Sequence, residues 1–356
     1  MSLSAAETYH FETGLYRPPS EGGSNSLLIR LTRNCPWNRC TFCGMYKAEK
    51  FQLRSVAEIK QDIDAMAALR DDLIALSRPY GANGGVSQPG AIALIERCPQ
   101  LNDHDGFAMF YHWLLSGGRT AFLQDANSLI MKTDQLIEVL AYLRRTFPTI
   151  VRVTTYARAK TVLQKPLDDL RAIRRAGLDR LHVGLESGDD AVLEIIGKGA
   201  TAEIHVKAGR KALDAGFQLS EYWMPGVGGK AHWQAHAENT ARVLSAINPH
   251  YIRSRPFRTW PGTPLAQAVA EGTFTMLTPA EQLEELRLTI RHLSVTGRVC
   301  FDHAGNYWRD RQGRLLFSHS YQGYPFPEEK QRVLDLIDEG LQASATKCPS
   351  RNEGWL

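Results

Sequence analysis

The sequence predicts an α/β fold: a partial (β/α)6 TIM-like barrel with a long first crossover insertion and a small C-terminal helical cap. Three observations carry this. Short apolar or β-branched runs alternate with longer segments of helical period, the pattern of a parallel sheet wound by right-handed crossovers. Helical segments end on stop signals, with Gly177 after the third and Gly216 after the fourth. Six such units fit between about 26 and 264, fewer than the eight of a closed barrel.

The first predicted strand is 26–32 (SLLIRLT), which runs straight into a cysteine-rich loop. Runs of the same kind follow at 120–123, 150–156, 180–185, 218–224 and 251–255. Between them, helical period is found at 56–76, 133–147, 166–176, 201–215 and 231–247. The first crossover is too long for one helix and defines an insertion at about 78–118. Its glycine-rich part, 80–90 (YGANGGVSQPG), lacks the Gly-Lys-Ser/Thr ending of a phosphate loop and reads as a connection. Its aromatic part, 107–115 (FAMFYHWLL), reads as a buried helix, with a substrate lid as the functional alternative. Residues 26–264 form the predicted core and 1–25 an N-terminal extension. A cap at 265–343 carries helices near 279–293 and 327–341 around a loop-rich FDHAGNYW segment, and 344–356 is expected to be a flexible tail.

With 356 residues and 43% apolar composition, the chain can bury a full-sized core. The net charge of +4 is spread among nearly as many acidic as basic residues, so no nucleic-acid partner is indicated. No run approaches the roughly 18 apolar residues of a membrane span, and residues 1–14 lack an apolar signal core. A soluble, cytoplasmic protein with no membrane partner is the expectation.

Three of the six cysteines, Cys35, Cys40 and Cys43, fall within nine residues, whereas Cys98, Cys300 and Cys348 stand far apart. Clustered cysteines in a long chain point to metal rather than to a disulfide framework. The spacing C-x4-C-x2-C lets three thiolates bind three irons of a 4Fe-4S cubane and leaves the fourth without a protein ligand. It also opens the plant-type 2Fe-2S motif, with Cys98 as a nominal fourth ligand, but that fold is small and here six βα units follow. Structural zinc would need a fourth Cys or His at finger-like spacing, and none is near.

In this loop, LTRNCPWNRCTFCGMYK, and in the order of elements from about 16 to 264, the chain resembles the radical S-adenosylmethionine superfamily. It is most similar there to the branch related to oxygen-independent coproporphyrinogen oxidase and the Elp3-type enzymes. The usual superfamily spacing is C-x3-C-x2-C; the loop here is one residue longer, as this branch shares. The resemblance implies two cofactors, a 4Fe-4S cluster and S-adenosyl-L-methionine, with the cofactor's amino and carboxylate groups on the open iron. It implies that Phe42, before the last cysteine, lies against the nucleoside.

The same resemblance suggests further cofactor-binding residues, each with a plainer reading. In QDANS (124–128), Asp125 stands where the superfamily binds the methionine amino group, with Asn127 beside it; Asn127 or Ser128 equally serves to cap or turn the chain. VGLESGDD (183–190) is similar to a Gly-x-Glu-Ser-Gly element, so Glu186 and Ser187 are expected at the cofactor, while Ser187 three residues before Asp190 also fits a helix cap. Tyr156 and Arg158 close the third strand, where a cation suits the cofactor carboxylate or simply faces solvent. Met224, in MPGVGG, opens a turn of the kind whose backbone approaches adenine. Arg253 and Arg255 share a strand face and offer fixed cations to an acidic substrate or cofactor carboxylate, unless that face lies outside. Asp302 and His303 complete the candidate catalytic set, although a lone His is more often structural.

The expected activity is reductive cleavage of S-adenosylmethionine and hydrogen abstraction from an unidentified small-molecule substrate, with a one-electron donor such as ferredoxin or flavodoxin. An iron–sulfur electron carrier or S-adenosylmethionine sensor without turnover is the alternative.

Overall fold

A computed structural model describes residues 9–21, 26–47, 49–104 and 106–344. Cys348 and the predicted tail from 345 onward lie outside the described residues. The fold is α/β, with a mostly parallel sheet and a barrel that is not closed. The chain divides into two compact units, one of Met1–Pro36, Ala48–His182 and Asp214–Gln218, the other of Trp37–Lys47, Val183–Leu213 and Leu219–Leu356.

In the first unit, strands β1 (Leu27–Arg30), β4 (Thr120–Gln124) and β5 (Arg152–Ala157) are parallel, with Leu27 opposite Ala121 and Thr120 opposite Arg152. A short antiparallel pair, β2 (Thr32–Arg33) and β3 (Gln52–Leu53), flanks the cysteine loop in sequence. Helix α1 (Val56–Ser77) starts on a capping box, the Ser55 hydroxyl accepting from Glu58 N while the Glu58 carboxylate accepts from Ser55 N. It buries Ile59, Ile63, Met66, Leu69 and Leu73, the i, i+4, i+7 stripe expected of a helix laid on a sheet.

The insertion is more ordered than its composition suggests. At the end of its Gly-rich part helix α2 (Gln88–Arg97) begins, where the Ser87 side chain caps Gly90 N and Pro89 sits in the first turn. Pro89 is a start signal here, because the first turn has no use for its missing N–H. Helix α3 (Phe107–Leu115) buries Phe110 and Trp113, stacked at 5.7 Å, with Phe147 edge-on to Trp113 at 5.6 Å. The aromatic segment is thus a packed helix. Helices α4 (Thr133–Thr146), α5 (Ala159–Gln164) and α6 (Leu167–Arg175) follow, and then strand β6 (Arg180–Glu186).

In the second unit, α7 (Asp190–Ile195) and α8 (Ala202–Asp214) precede β7 (Gln218–Trp223), α9 (Gly229–Ile247) and β8 (Tyr251–Ser254). Beyond 264 come α10 (Pro264–Ala270), α11 (Pro279–His292), β9 (Arg298–Cys300), β10 (Tyr324–Pro325) and α12 (Lys330–Ser344). Strand β9 lies parallel to β8, with Val299 opposite Ile252 and Cys300 opposite Arg253, and β10 is antiparallel to β9. The segment expected to be a loop-rich helical cap therefore also supplies sheet. Three residues of strand are too few for period 2 to stand out from the polar sequence on either side.

Candidate functional site

Around the start of the cysteine loop, the first unit builds a buried polar cluster. Asp125, at the carboxyl end of β4, is buried, and its Oδ2 accepts from Arg30 Nε at 3.0 Å, Arg30 Nη2 at 2.9 Å and Asn34 N at 2.9 Å. Burial pushes the Asp125 carboxyl above its usual range, while the Asn34 N–H and the Arg30 charge pull the other way. Asn34, the residue before Cys35, has φ +69° and donates its side-chain amide to Lys50 O at 2.7 Å. Asn is among the few residues that take this left-handed backbone readily. Asp125 thus fixes the entry into the loop. Asp125 Oδ1 is buried with no hydrogen-bond partner, and a Cβ on Gly14 would come within 2.3 Å of it. Asn127 is used at both ends: its amide donates to Thr161 Oγ1 at 2.8 Å and its oxygen accepts from Arg158 N at 3.1 Å. Tyr156 stands edge-on to Phe122 at 5.1 Å.

The rest of the loop belongs to the second unit, where the end of α7 holds it. Trp37 Nε1 donates to Gly197 O at 2.8 Å, Thr41 N to Ile196 O at 2.9 Å and Thr41 Oγ1 to Ile195 O at 3.1 Å. Contact is close enough to demand glycine. A Cβ on Gly197 (φ +61°) would meet Arg39 O at 2.8 Å, and one on Gly199 (φ +70°) would meet the Trp37 ring at 2.2 Å. Asn38, at φ +46°, donates its side-chain amide to Tyr46 O at 2.5 Å, and Cys43 N donates to Cys40 O at 3.4 Å. Cys35, Cys40 and Cys43 are half-buried and none is in a disulfide.

Phe42 packs on an apolar cluster of Val192, Leu193, Ile196, Met224, Val227, Phe257 and Leu265, so Phe42 and Met224 are brought together. Glu186 ends β6 at φ +64°, a strained backbone for a residue with a Cβ. Its Oε1 accepts from Lys198 Nζ at 2.8 Å, and its Oε2 is buried with no hydrogen-bond partner. Neighbouring Ser187 turns the other way: its hydroxyl lies 2.8 Å from His236 Nδ1 and accepts from Asp189 N at 3.0 Å. The helix cap at α7 is made by Asp189, accepting from Val192 N at 3.1 Å.

Three further buried groups escaped the sequence reading. Glu221 on β7 is 1% exposed, and burial pushes its carboxyl well above the usual range, with the Glu186 charge adding to the rise and Lys198 opposing it. Glu285 on α11 accepts from Gly226 N at 2.7 Å and lies 3.5 Å from His236 Nε2. Burial pushes Glu285 up to about 8 and His236 down to about 4, so both are uncharged at neutral pH. Each is a single polar residue inside an amphipathic helix or strand, and no motif marked it.

The candidate catalytic residues divide into a buried pair and a rim. Arg253 and Asp302 pair at 2.7 Å, both side chains 1% exposed, and Arg253 also donates to Ser220 Oγ at 3.1 Å and Tyr321 O at 3.2 Å. Asp302 Oδ1 is left without a hydrogen-bond partner. Arg255, one residue past β8, and His303, past β9, are half-buried. His303 Nδ1 accepts from Gly305 N at 3.0 Å, and the ring is pulled down to about 4 by burial and then by the charges of Arg255, Arg258 and His319.

Among the described residues, no helix is long and apolar enough to cross a membrane. Residues 111–236 match the sequence model of the Radical SAM superfamily, a segment that holds Asp125, Glu186 and Met224 and begins after the cysteine loop. No curated protein matches the chain in sequence. Among solved structures, the chain is similar to the radical S-adenosylmethionine methyltransferase TsrM from Kitasatospora setae, with cobalamin and a [4Fe-4S] cluster bound: 15% identity, TM-score 0.48, 74% of this chain and 44% of that one. Coproporphyrinogen III oxidase (HemN) from Escherichia coli matches at 15% identity and TM-score 0.46, over 75% of this chain and 51% of that one. Elp3 from the archaeon Methanocaldococcus infernus matches at 14% and 0.45, over 74% and 62%. The chain thus spans between 44% and 62% of the length of these structures.

Proposed function

We propose, from the premise that this chain carries a radical SAM superfamily domain, that the protein is an enzyme binding one 4Fe-4S cluster and S-adenosyl-L-methionine to act on a small-molecule substrate. The observation that carries the reading is the cysteine loop: three thiols within nine residues, the residue before it tied to the buried Asp125 and its Trp37 and Arg39 seated on Gly197 and Gly199. Among the described residues, no three Cys, His, Asp or Glu converge on a single ion. A cubane asks for something different, one thiolate per iron, and the donor set of Cys35, Cys40 and Cys43 fits it.

Held by Cys35, Cys40 and Cys43, the cluster would supply one-electron reduction of S-adenosylmethionine and, through it, hydrogen abstraction from the substrate. The chain's own residues bind, orient and exclude water. Phe42 and Met224 offer an apolar wall for the nucleoside. Glu186, with a buried and unpartnered Oε2, offers an acceptor to ribose hydroxyls or to the methionine ammonium, and Asp125 Oδ1 offers another. Arg253, Arg255, Asp302 and His303, at the carboxyl ends of two neighbouring parallel strands, are assigned to the substrate. Residues 26–264 act as the core and 265–343 as its cover, and the electron comes from a protein donor of the ferredoxin or flavodoxin class.

The test is anaerobic reconstitution with iron and sulfide. S-adenosylmethionine should change the paramagnetic spectrum of the reduced cluster, and dithionite should then yield methionine and 5'-deoxyadenosine in equal amounts. A cluster that forms but never cleaves the cofactor under any reductant would leave an electron carrier or a sensor.

A further inference from the structure

The turn that leads into α10 is written in four residues. In Trp260-Pro261-Gly262-Thr263, proline and glycine hold the two central positions of a β-turn. Gly262 takes φ +77°, and Thr263 N donates to Trp260 O at 3.2 Å. The Thr263 hydroxyl donates to the same carbonyl at 2.7 Å and accepts from Ala266 N at 3.3 Å, which caps α10. The backbone of Trp260 is therefore fixed by the turn and by the start of the helix together.

This strap lies along the second half of the cysteine loop. Leu265 N donates to Thr41 O at 3.0 Å, and the Leu265 side chain belongs to the apolar cluster on which Phe42 packs. At the other end of the strap, the Trp260 indole fills the space beside Gly44. A Cβ on Gly44 would meet Trp260 Cδ1 at 2.1 Å, Nε1 at 2.3 Å and Cγ at 2.6 Å. Gly44 does not take a positive φ, so the ring, and not the backbone conformation, is what requires glycine here. Thr41, Phe42 and Gly44 are thus all held by one segment, and Cys43 stands between them. Trp260 itself remains 39% exposed. A ring with one part against the loop and the rest in water is placed as a cover, not as core.

We infer that Trp260 is a positioning residue for the cluster: its indole covers the Cys43 end of the loop, keeps water from it and so holds the cluster at a low reduction potential. The inference rests on the reading of Cys35, Cys40 and Cys43 as cluster ligands and adds a residue outside the loop to that site. A cubane with three thiolate ligands carries net negative charge, and one-electron reduction adds more. Water stabilises the added charge better than an indole does, so excluding water makes reduction harder and the reduced cluster a stronger donor. Reductive cleavage of a sulfonium calls for such a donor.

The reconstituted proteins are poised at a series of potentials under anaerobic conditions, and the reduced cluster is read from its paramagnetic spectrum. Trp260→Ala should be easier to reduce, with the ratio of reduced to oxidised cluster raised about threefold or more at the wild-type midpoint. Its visible absorbance should also bleach faster in air. Trp260→Phe, which keeps a ring over Gly44, should bring both readings back toward wild type. Where Trp260→Ala holds no iron, Trp260→Leu takes its place in the same comparison. An unchanged midpoint in the alanine variant, or a phenylalanine variant no closer to wild type than the alanine or leucine one, would overturn the inference. A wild type that takes up no cluster overturns the reading of the cysteines and this inference with it, whereas a wild-type cluster indifferent to residue 260 overturns this inference alone.

Discussion

Glu285 and the cysteines show how single residues report on their surroundings. The folded-state pKa of Glu285, about 8, lies above the ordinary value of a free glutamate, because burial disfavours the anion. The folded protein therefore holds this proton more tightly than the unfolded chain. The stability it contributes is complete below the unfolded pKa of about 4.3 and is lost as pH rises through 8. Urea midpoints of the wild type should fall between about pH 6.5, above which the opposing gain from the buried His236 and His303 is complete, and about 8.5, and Glu285→Gln should flatten that fall while keeping an acceptor for Gly226 N. An equally steep decline in the variant would assign the effect to another group. For the cysteines, the wild type should hold about four irons and four sulfides after reconstitution. Changing Cys35, Cys40 or Cys43 to Ala should abolish this, and Cys98→Ala should not, since Cys98 is 2% exposed at the end of α2. Iron that follows Cys98 instead would restore the ferredoxin-type reading.

At the scale of elements, the cysteine loop takes its shape from α7. The Gly197-Lys198-Gly199 turn that ends this helix accepts the Trp37 N–H, admits the Trp37 ring and sends Lys198 to Glu186. Gly199→Ala brings a Cβ within 2.2 Å of Trp37 at a backbone angle of +70°. Strain of that kind, with the overpacking, costs about 1–3 kcal/mol. The variant should unfold at lower urea and lose iron faster on gel filtration than wild type, because the displaced ring carries the loop with it. Unchanged iron retention beside a lowered midpoint would confine Gly199 to packing.

At the scale of the whole chain, the segment beyond 264 decides whether the expected core is self-sufficient. It supplies β9 to the edge of β8 and Asp302 to Arg253. A fragment ending at 264 would leave the Arg253 guanidinium, 1% exposed in the full chain, without its carboxylate. Removing one partner of a buried pair costs about 3–5 kcal/mol. We expect residues 1–264 to show no cooperative urea transition. A fragment that folds cooperatively and takes up a full complement of iron would make the C-terminal segment a detachable cover, as its loop-rich sequence suggests.

The sequence by itself determined the alternation of strands and helices, most of their boundaries and the cysteine loop, because these rest on local pattern. A strand, an amphipathic helix and a C-x4-C-x2-C run are each written within a few neighbouring residues. It also brought forward Arg253 and Asp302 as separate candidates, without the 2.7 Å pair that joins them. Tertiary structure alone decided that Asp125 holds the residue before Cys35, and that Ser187 faces His236 while Asp189 makes the cap. It alone revealed α2, whose cap and proline hid in a glycine-rich stretch, and the buried Glu221 and Glu285. The physical reason is common to all of these. Burial and charge neighbours are set by residues dozens of positions away, and a polar side chain inside an amphipathic element looks the same in sequence whether it ends in water or in the core.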